Sequence, residues 1–453
     1  MRALVVAAVL SALSCSRSPA PTPVAPTPAT PTPSPATASG DHGPAFLADD
    51  WQEALRRAKA DGSILFVDAW APWCHTCWSM KRDVLHQPAL AAYQGRVTFV
   101  EIDTDRPQNA AFVARYPVRG WPTFFAVDPT SGAILAAQGG SMSLAETTAF
   151  LDRALTLRAS SEPVDAAPAA GYRALQEGDA KAAAARFEEA AAVTGPRRTE
   201  AAAAAYRAWL EAKDHANCAR SASAALGVVE GSAAAGDTAA YLVVCAERLP
   251  REDPARARAL ATAQATLEAL VKAPAQGAAV DDRADVMINL AELYDEQGKK
   301  AEARALHEQR LRLLEDDARA ADPLAARVHD YARMNSYLEL GRGDEAVALF
   351  RARIAQLPND YEAHARLATT LFKLERYDEA RPAAERAVEL AYGPRRLRYL
   401  FLLADVCGKR GDRAGERTAL EQLVRDNDAL DATLRLDDLA AKAKGRLAGG
   451  KPG

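Results

Sequence analysis

Cys74 and Cys77 stand two residues apart in the stretch Trp70-Ala71-Pro72-Trp73-Cys74-His75-Thr76-Cys77. Two thiols at this spacing can close a disulfide with each other. A thiolate on the first can also attack another disulfide while the second resolves the product. Metal binding is a further option. A structural zinc centre takes four ligands, commonly from two such pairs, and the sequence holds one pair. Copper held by both cysteines and His75 is a softer alternative, and a permanent structural disulfide is another. A cationic His75 beside Cys74 would stabilise the thiolate, and with it the reduced form, making the pair a stronger oxidant. As an exposed polar filler it would do neither.

What the thiols do depends on what holds them. Ser63 to Trp70 is a short apolar run of strand formers and predicts a buried strand. The spacing predicts a helix from Cys74 to about His86, which puts Cys74 at a helix start. Free amide N–H groups there favour an anion. Asp49 to Ala60 predicts a helix capped by Asp49 or Asp50. Val97 to Asp103 predicts a strand, and Pro107 to Tyr116 a helix opened by proline. Pro122 to Val127 and Ala133 to Ala137 predict strands joined by an Asp-Pro-Thr-Ser-Gly turn, and Ser143 to about Leu157 a capped helix. Together these elements make a mixed central sheet covered by helices.

These residues resemble the active site of the thioredoxin superfamily. The resemblance extends to Asp68, six residues before Cys74, to Gly120-Trp121-Pro122-Thr123-Phe124 and to Gly139-Gly140. The early helix and the continuation through Trp78-Ser79-Met80 are similar to the domains that end DsbD-type disulfide reductases. The resemblance covers about residues 46–157 and implies roles. Cys74 would attack the substrate, Cys77 would resolve, and Asp68, if buried, would accept the Cys77 proton. Pro122 would be cis, leaving the Trp121 backbone free to pair with substrate, and Trp73 would shield the disulfide. His75-Thr76 replaces thioredoxin's Gly-Pro and would tune the potential, and Trp121 is bulkier than the usual aliphatic residue before the cis-proline.

The chain has 453 residues, too many for one typical domain. Its net charge of −4 and lack of basic clusters exclude a nucleic-acid binder. Arg2, then the apolar run Ala3 to Leu13, then Ser14 read as an export signal over residues 1–14. Cys15 stands where a bacterial lipobox, which this stretch resembles, carries its lipidated cysteine, and the lipobox leucine is displaced here to Leu13. Residues 15–45 alternate proline with Thr, Ala and Ser and read as a stiff tether.

From residue 164 the composition turns to Ala, Leu, Arg and Glu with helical periodicity. Arg327 to Asp360 and Tyr361 to Pro394 align at a 34-residue period. These segments resemble tetratricopeptide repeats, so residues 164–445 are expected to form an all-α solenoid of six or seven repeats. Its surface is expected to dock a protein partner. His215, His307, His329 and His364 share no ligand spacing and read as ordinary helix residues. Cys218, Cys245 and Cys407 read first as buried thiols, with a Cys218–Cys245 bridge as the alternative.

The expectation is thus an α/β thioredoxin-like domain followed by a helical solenoid. Its activity would be that of an envelope thiol–disulfide oxidoreductase, favoured as a reductase, on the periplasmic side and anchored through Cys15. It would act on protein disulfides or dithiols, draw on an upstream electron donor, and need neither metal nor any cofactor beyond the Cys74–Cys77 disulfide. The alternative is an envelope scaffold whose thioredoxin-like module is not catalytic.

Overall fold

A computed structural model describes residues 43–159, 166–195, 197–232, 234–321 and 325–449, all within one unit, His42–Gly453. The expected export signal, Cys15 and most of the tether lie outside the described residues.

The first part is a five-stranded sheet of order β1-β3-β2-β4-β5. Its strands are β1 (Phe46–Ala48), β2 (Ile64–Trp70), β3 (Val97–Asp103), β4 (Thr123–Val127) and β5 (Ile134–Gly139). β1 and β2 run parallel to β3, while β4 runs antiparallel to β2 and β5. The strand β1 is too short for periodicity to have shown it. Helices α1 (Trp51–Asp61), α2 (His75–Met80), α3 (Ala110–Arg115) and α4 (Leu144–Ala159) cover the sheet. The α1 cap is Asp50, whose side chain accepts the Glu53 N–H at 3.0 Å.

Alternation along β2 sends its residues to opposite faces. Ile64 and Phe66 join Phe99, Phe124 and Phe150 in one core; Leu65, Val67 and Ala69 join Val100, Phe112 and Phe125 in the other. A fully buried side chain of this size contributes about 1.5–3 kcal/mol, so the sheet is held from both sides. Asp68 shares the face of Phe66, the side on which Met80 of α2 packs.

Two helices differ from expectation. The run after Cys74 is α-helical only to Met80 and then widens into a π-helical turn, Lys81–Leu85. Such turns recur at functional sites, and this one carries a lysine under the sheet. Pro107–Asn109 is a 3₁₀ turn that precedes α3.

Fifteen described helices follow: α5 (Ala166–Gln176), α6 (Ala180–Ala192), α7 (Arg198–Glu211), α8 (His215–Leu226), α9 (Ala234–Glu247), α10 (Pro254–Lys272), α11 (Val280–Glu296), α12 (Lys300–Ala320), α13 (Asp330–Glu339), α14 (Gly343–Gln356), α15 (Tyr361–Lys373), α16 (Tyr377–Leu390), α17 (Gly393–Lys409), α18 (Arg413–Ala429) and α19 (Asp437–Leu447). They pack as successive neighbours. The turn between α13 and α14 uses Gly341 at φ 74°, and at the same repeat phase Glu375 holds φ 58°. Alanines such as Ala368, Ala380 and Ala384 fill the crossings and are fully buried, because only small residues let the helix axes approach.

Cys218 of α8 and Cys245 of α9 form a disulfide, Cα to Cα 5.7 Å, where the first reading was two buried thiols. Antiparallel neighbours bring the two positions face to face, which spacing alone does not reveal. Cys407 is free and buried.

The two parts share a core. Val67, Ile102 and Phe125 of the sheet and Phe112 of α3 lie in one apolar cluster with Tyr172, Phe187 and Tyr206 of the array. Farther along, α17 meets the loop after β3. A Cβ at Gly393 would sit 1.9 Å from the Asp105 carbonyl oxygen, so this approach admits only glycine.

Candidate active site

Cys74 is the N-cap of α2, and Cys77 lies one turn on. Their sulfurs are bonded, with Cα atoms 5.3 Å apart. The Cys77 N–H donates to Cys74 Sγ at 3.1 Å, a donor placed where a thiolate would need one. Cys74 keeps 5% exposure and Cys77 none, so an incoming group meets Cys74 first. Trp70, Trp73 and Trp121 pack around the pair.

Trp73 and Trp121 are held by polar contacts, and Trp78 braces the loop beside them. Trp78 donates its indole N–H to the Pro72 carbonyl at 2.8 Å, which fixes the loop before Cys74. Trp73 donates to Asp105 Oδ2 at 2.7 Å, and its ring meets Trp121 edge-on at 4.9 Å. Trp121 in turn donates to Thr104 Oγ1 at 2.8 Å. The Trp121–Pro122 peptide is cis.

Asp68 is 1% exposed, and neither carboxylate oxygen has a hydrogen-bond partner. Burial raises its pKa to about 7 against the pull of Lys81, whose Nζ lies 4.0 Å away. Lys81 itself pairs with Glu101, the register partner of Asp68 on β3, and sits 3.3 Å over the Trp70 ring. Asp68 is therefore a carboxyl that changes protonation near neutral pH, as a proton acceptor must.

His75 is not an exposed filler. Its Nε2 pairs with Asp285 of α11 at 3.0 Å, and its ring lies 5.8 Å from that of Tyr331 on α13. Burial opposes the imidazolium, but Asp285, with Asp281 behind it, outweighs burial and raises the pKa above the ordinary histidine value. Asp285 in exchange is held below the usual carboxylate range, its burial cost overcome by His75 and Arg310.

The array meets the site on several sides. Ser79 donates to Asp281, Arg82 pairs with Asp317 at 2.8 Å, and Arg327 lies 4.1 Å over Trp78. Arg395 lies 4.6 Å over Trp73, and Tyr392 donates to Asp103. Beside the site remains a cavity of about 290 Å³, walled by Thr76, Gly120, Trp121 and Gly140 from the sheet part and by Tyr241 and Asp285 from the array. Of the residues singled out in the sequence, Cys74, His75, Thr76, Cys77, Trp73, Trp121 and Pro122 converge here, with Asp68 on the neighbouring strand. Sequence reading missed Lys81, Glu101 and Asp285. Lys81 left a trace, four residues after Cys77 on the same helical run. Asp285 left none, because 210 residues separate it from His75.

Residues 51–155 match the thioredoxin-like domain family, and residues 337–400 match the tetratricopeptide repeat. Over 77 residues the chain is 34% identical to thiol:disulfide interchange protein DsbD 2 of Pseudomonas aeruginosa, a match covering 17% of this chain and 13% of that protein. Among solved structures, a tetratricopeptide repeat protein from Parabacteroides merdae aligns at 11% identity over 60% of this chain and 96% of its own, with a TM-score of 0.39. A tetratricopeptide repeat protein from Thermus thermophilus aligns at 20% identity over 46% of this chain and 98% of its own, with a TM-score of 0.31. The chain thus joins a thioredoxin-like domain with a CxxC pair, at residues 51–155, to a helical array that carries tetratricopeptide repeats at residues 337–400.

Proposed function

We propose that this chain is a thiol–disulfide oxidoreductase that works as a reductase in a bacterial cell envelope. The carrying observation is the Cys77 N–H on Cys74 Sγ at a helix start, with Cys74 the more exposed sulfur. In the reduced chain the Cys74 thiolate attacks a substrate disulfide, whose S–S bond breaks and releases one thiolate. Asp68 takes the Cys77 proton. The Cys77 thiolate then attacks Cys74 Sγ, the mixed disulfide breaks, and the substrate leaves as a dithiol. The Cys74–Cys77 disulfide that remains needs two electrons from an upstream dithiol donor.

Substrate approaches along the Trp121–Pro122 loop and the cavity beside Thr76, since the array covers the other approaches. This favours an extended cysteine-bearing segment over a disulfide flush with a folded surface. Residues 1–14 as signal and Cys15 as lipid anchor would place the chain on the periplasmic side. The Cys218–Cys245 disulfide supports an oxidising compartment. Among the described residues no helix is long and apolar enough to cross a membrane. The array's remaining surface is where a protein partner would dock.

The test is equilibration of the full chain in glutathione and dithiothreitol buffers, read by tryptophan fluorescence. A potential at or below about −230 mV supports a reductase, and one above about −180 mV an oxidant or isomerase. A pair that never exchanges sinks the enzyme and leaves an envelope scaffold. Asp285→Asn bears on His75 in the same assay. Without the carboxylate, burial dominates and the imidazole pKa drops below its ordinary value. The cation beside Cys74 is then lost at neutral pH, and the potential falls by about 30 mV, the equivalent of about 1.4 kcal/mol. An unchanged His75 titration by NMR would remove Asp285 from the account.

A further inference from the structure

Three helices of the array bring together residues that the sequence keeps apart. Asp295 on α11, His307 on α12 and Glu339 at the end of α13 each offer a ligand atom, and these atoms lie within 4.8 Å of one another. They line a cavity of about 490 Å³ whose wall also carries Glu247, Glu292 and Glu296. The spacing of 295, 307 and 339 matches no ligand motif, which is why the sequence reading expected no metal. Only the packing of successive helices assembles the set.

His307 separates this cluster from an ordinary acidic surface. It is 4% exposed, and its Nδ1 is buried without a hydrogen-bond partner. A buried imidazole nitrogen normally finds a partner, because leaving it without one costs about 1–3 kcal/mol. The glutamates beside it are exposed to solvent, and Glu247 hydrogen-bonds Glu296. Among the described residues, Glu247, Glu292, Glu296 and Glu339 form no ion pair, and Lys373 is the one lysine or arginine on the cavity wall. Asp295 pairs with Lys300 at 2.9 Å, but that lysine is 74% exposed, and an exposed pair of this kind is weak enough to yield to a divalent ion.

We propose that Asp295, His307 and Glu339 bind a divalent transition-metal ion of the zinc class. One imidazole nitrogen among carboxylate oxygens is too soft a set for calcium or magnesium, which take oxygen ligands alone, and imidazole suits zinc and its neighbours. Three protein ligands leave an open position for water or for Glu292. The ion braces α11, α12 and α13 together. Two of these helices reach the thiol site: α11 carries Asp285, and α13 carries Tyr331, which also lines the metal cavity.

The experiment titrates the full chain, with Cys74–Cys77 oxidised so that these thiols cannot bind, against Zn2+, Co2+ and Ca2+ by calorimetry and thermal melts. One Zn2+ per chain with a raised Tm is expected. Co2+ should give visible d–d bands without thiolate charge transfer. Glu339→Gln changes an exposed residue and should leave the fold intact; it and His307→Gln should each weaken Zn2+ at least about tenfold, since even outer partners of a metal site are worth that much. Three results would each overturn the proposal: no saturable Zn2+ binding, wild-type affinity in both variants, or Ca2+ binding as tight as Zn2+.

Discussion

A chain carrying Cys77→Ser accumulates a mixed disulfide on Cys74, and one carrying Cys74→Ser exchanges no faster than the buffer thiols alone. Both results follow from the geometry. Cys74 has the residual exposure and the amide donor, so it meets the substrate sulfur. Cys77 has no exposure and can reach a substrate only through the Cys74 sulfur. Serine at 77 leaves the first displacement intact and removes the second, so the covalent adduct stays. Serine at 74 removes the nucleophile, and the buried Cys77 does not replace it. Mass spectrometry of each variant after incubation with a disulfide peptide distinguishes them: Cys77→Ser gains one peptide half, Cys74→Ser gains nothing. An adduct on Cys77 in the Cys74→Ser chain would reverse the assigned roles.

Asp68→Asn is expected to slow turnover by about 10²-fold, the usual worth of a positioned proton acceptor, while making the folded chain more stable. The wild-type carboxyl titrates at about 7 because its burial, without a hydrogen-bond partner, outweighs the pull of Lys81. Below that pH it is protonated and cannot take the Cys77 proton, so the wild-type rate should rise with pH through about 7. The variant should lose that inflection. The stability effect follows from the same shift. The folded pKa is raised above the unfolded carboxylate value, so between the two values the folded chain binds more protons. Stability therefore falls as pH rises through this window, and the deficit is complete above about pH 7. At about 1.4 kcal/mol per pH unit, an asparagine that carries no charge should recover a few kcal/mol at pH 8 and progressively less toward acid. Urea melts at several pH values measure this, and a rate profile that keeps its inflection in the variant would assign the titration to another group.

The sheet part was legible because its signals are local. The run from Ser63 to Trp70 is apolar on both faces, as a strand buried on both sides must be, and the Asp-Pro-Thr-Ser-Gly turn separates two strands that then pair as β4 and β5. Cys74 at a helix start follows from that strand and the spacing after it. Helical periodicity and composition pointed to the helices of the array, and the 34-residue repeat over 327–394 to their pairing there. The π-helical turn at Lys81–Leu85 was not legible. Its widening carries Lys81 to Asp68 and Glu101, contacts across a strand that a helical period does not encode.

The sequence by itself determined the two kinds of structure and the CxxC pair at a helix start, because each depends on residues within one turn or one strand. Only the tertiary structure decided that the array lies over its own thiol site. His75 and Asp285, Trp73 and Arg395, Tyr392 and Asp103 pair across 210 residues or more. In sequence the array partners Asp285, Arg395 and Tyr392 are charged or polar side chains on or beside a helix, indistinguishable from solvated ones. The energy of such a pair depends on distance and burial, and neither is carried by spacing along the chain. The same reason hid the Cys218–Cys245 bridge and the meeting of His307 with Asp295 and Glu339: helix packing, not local pattern, brought those atoms within reach.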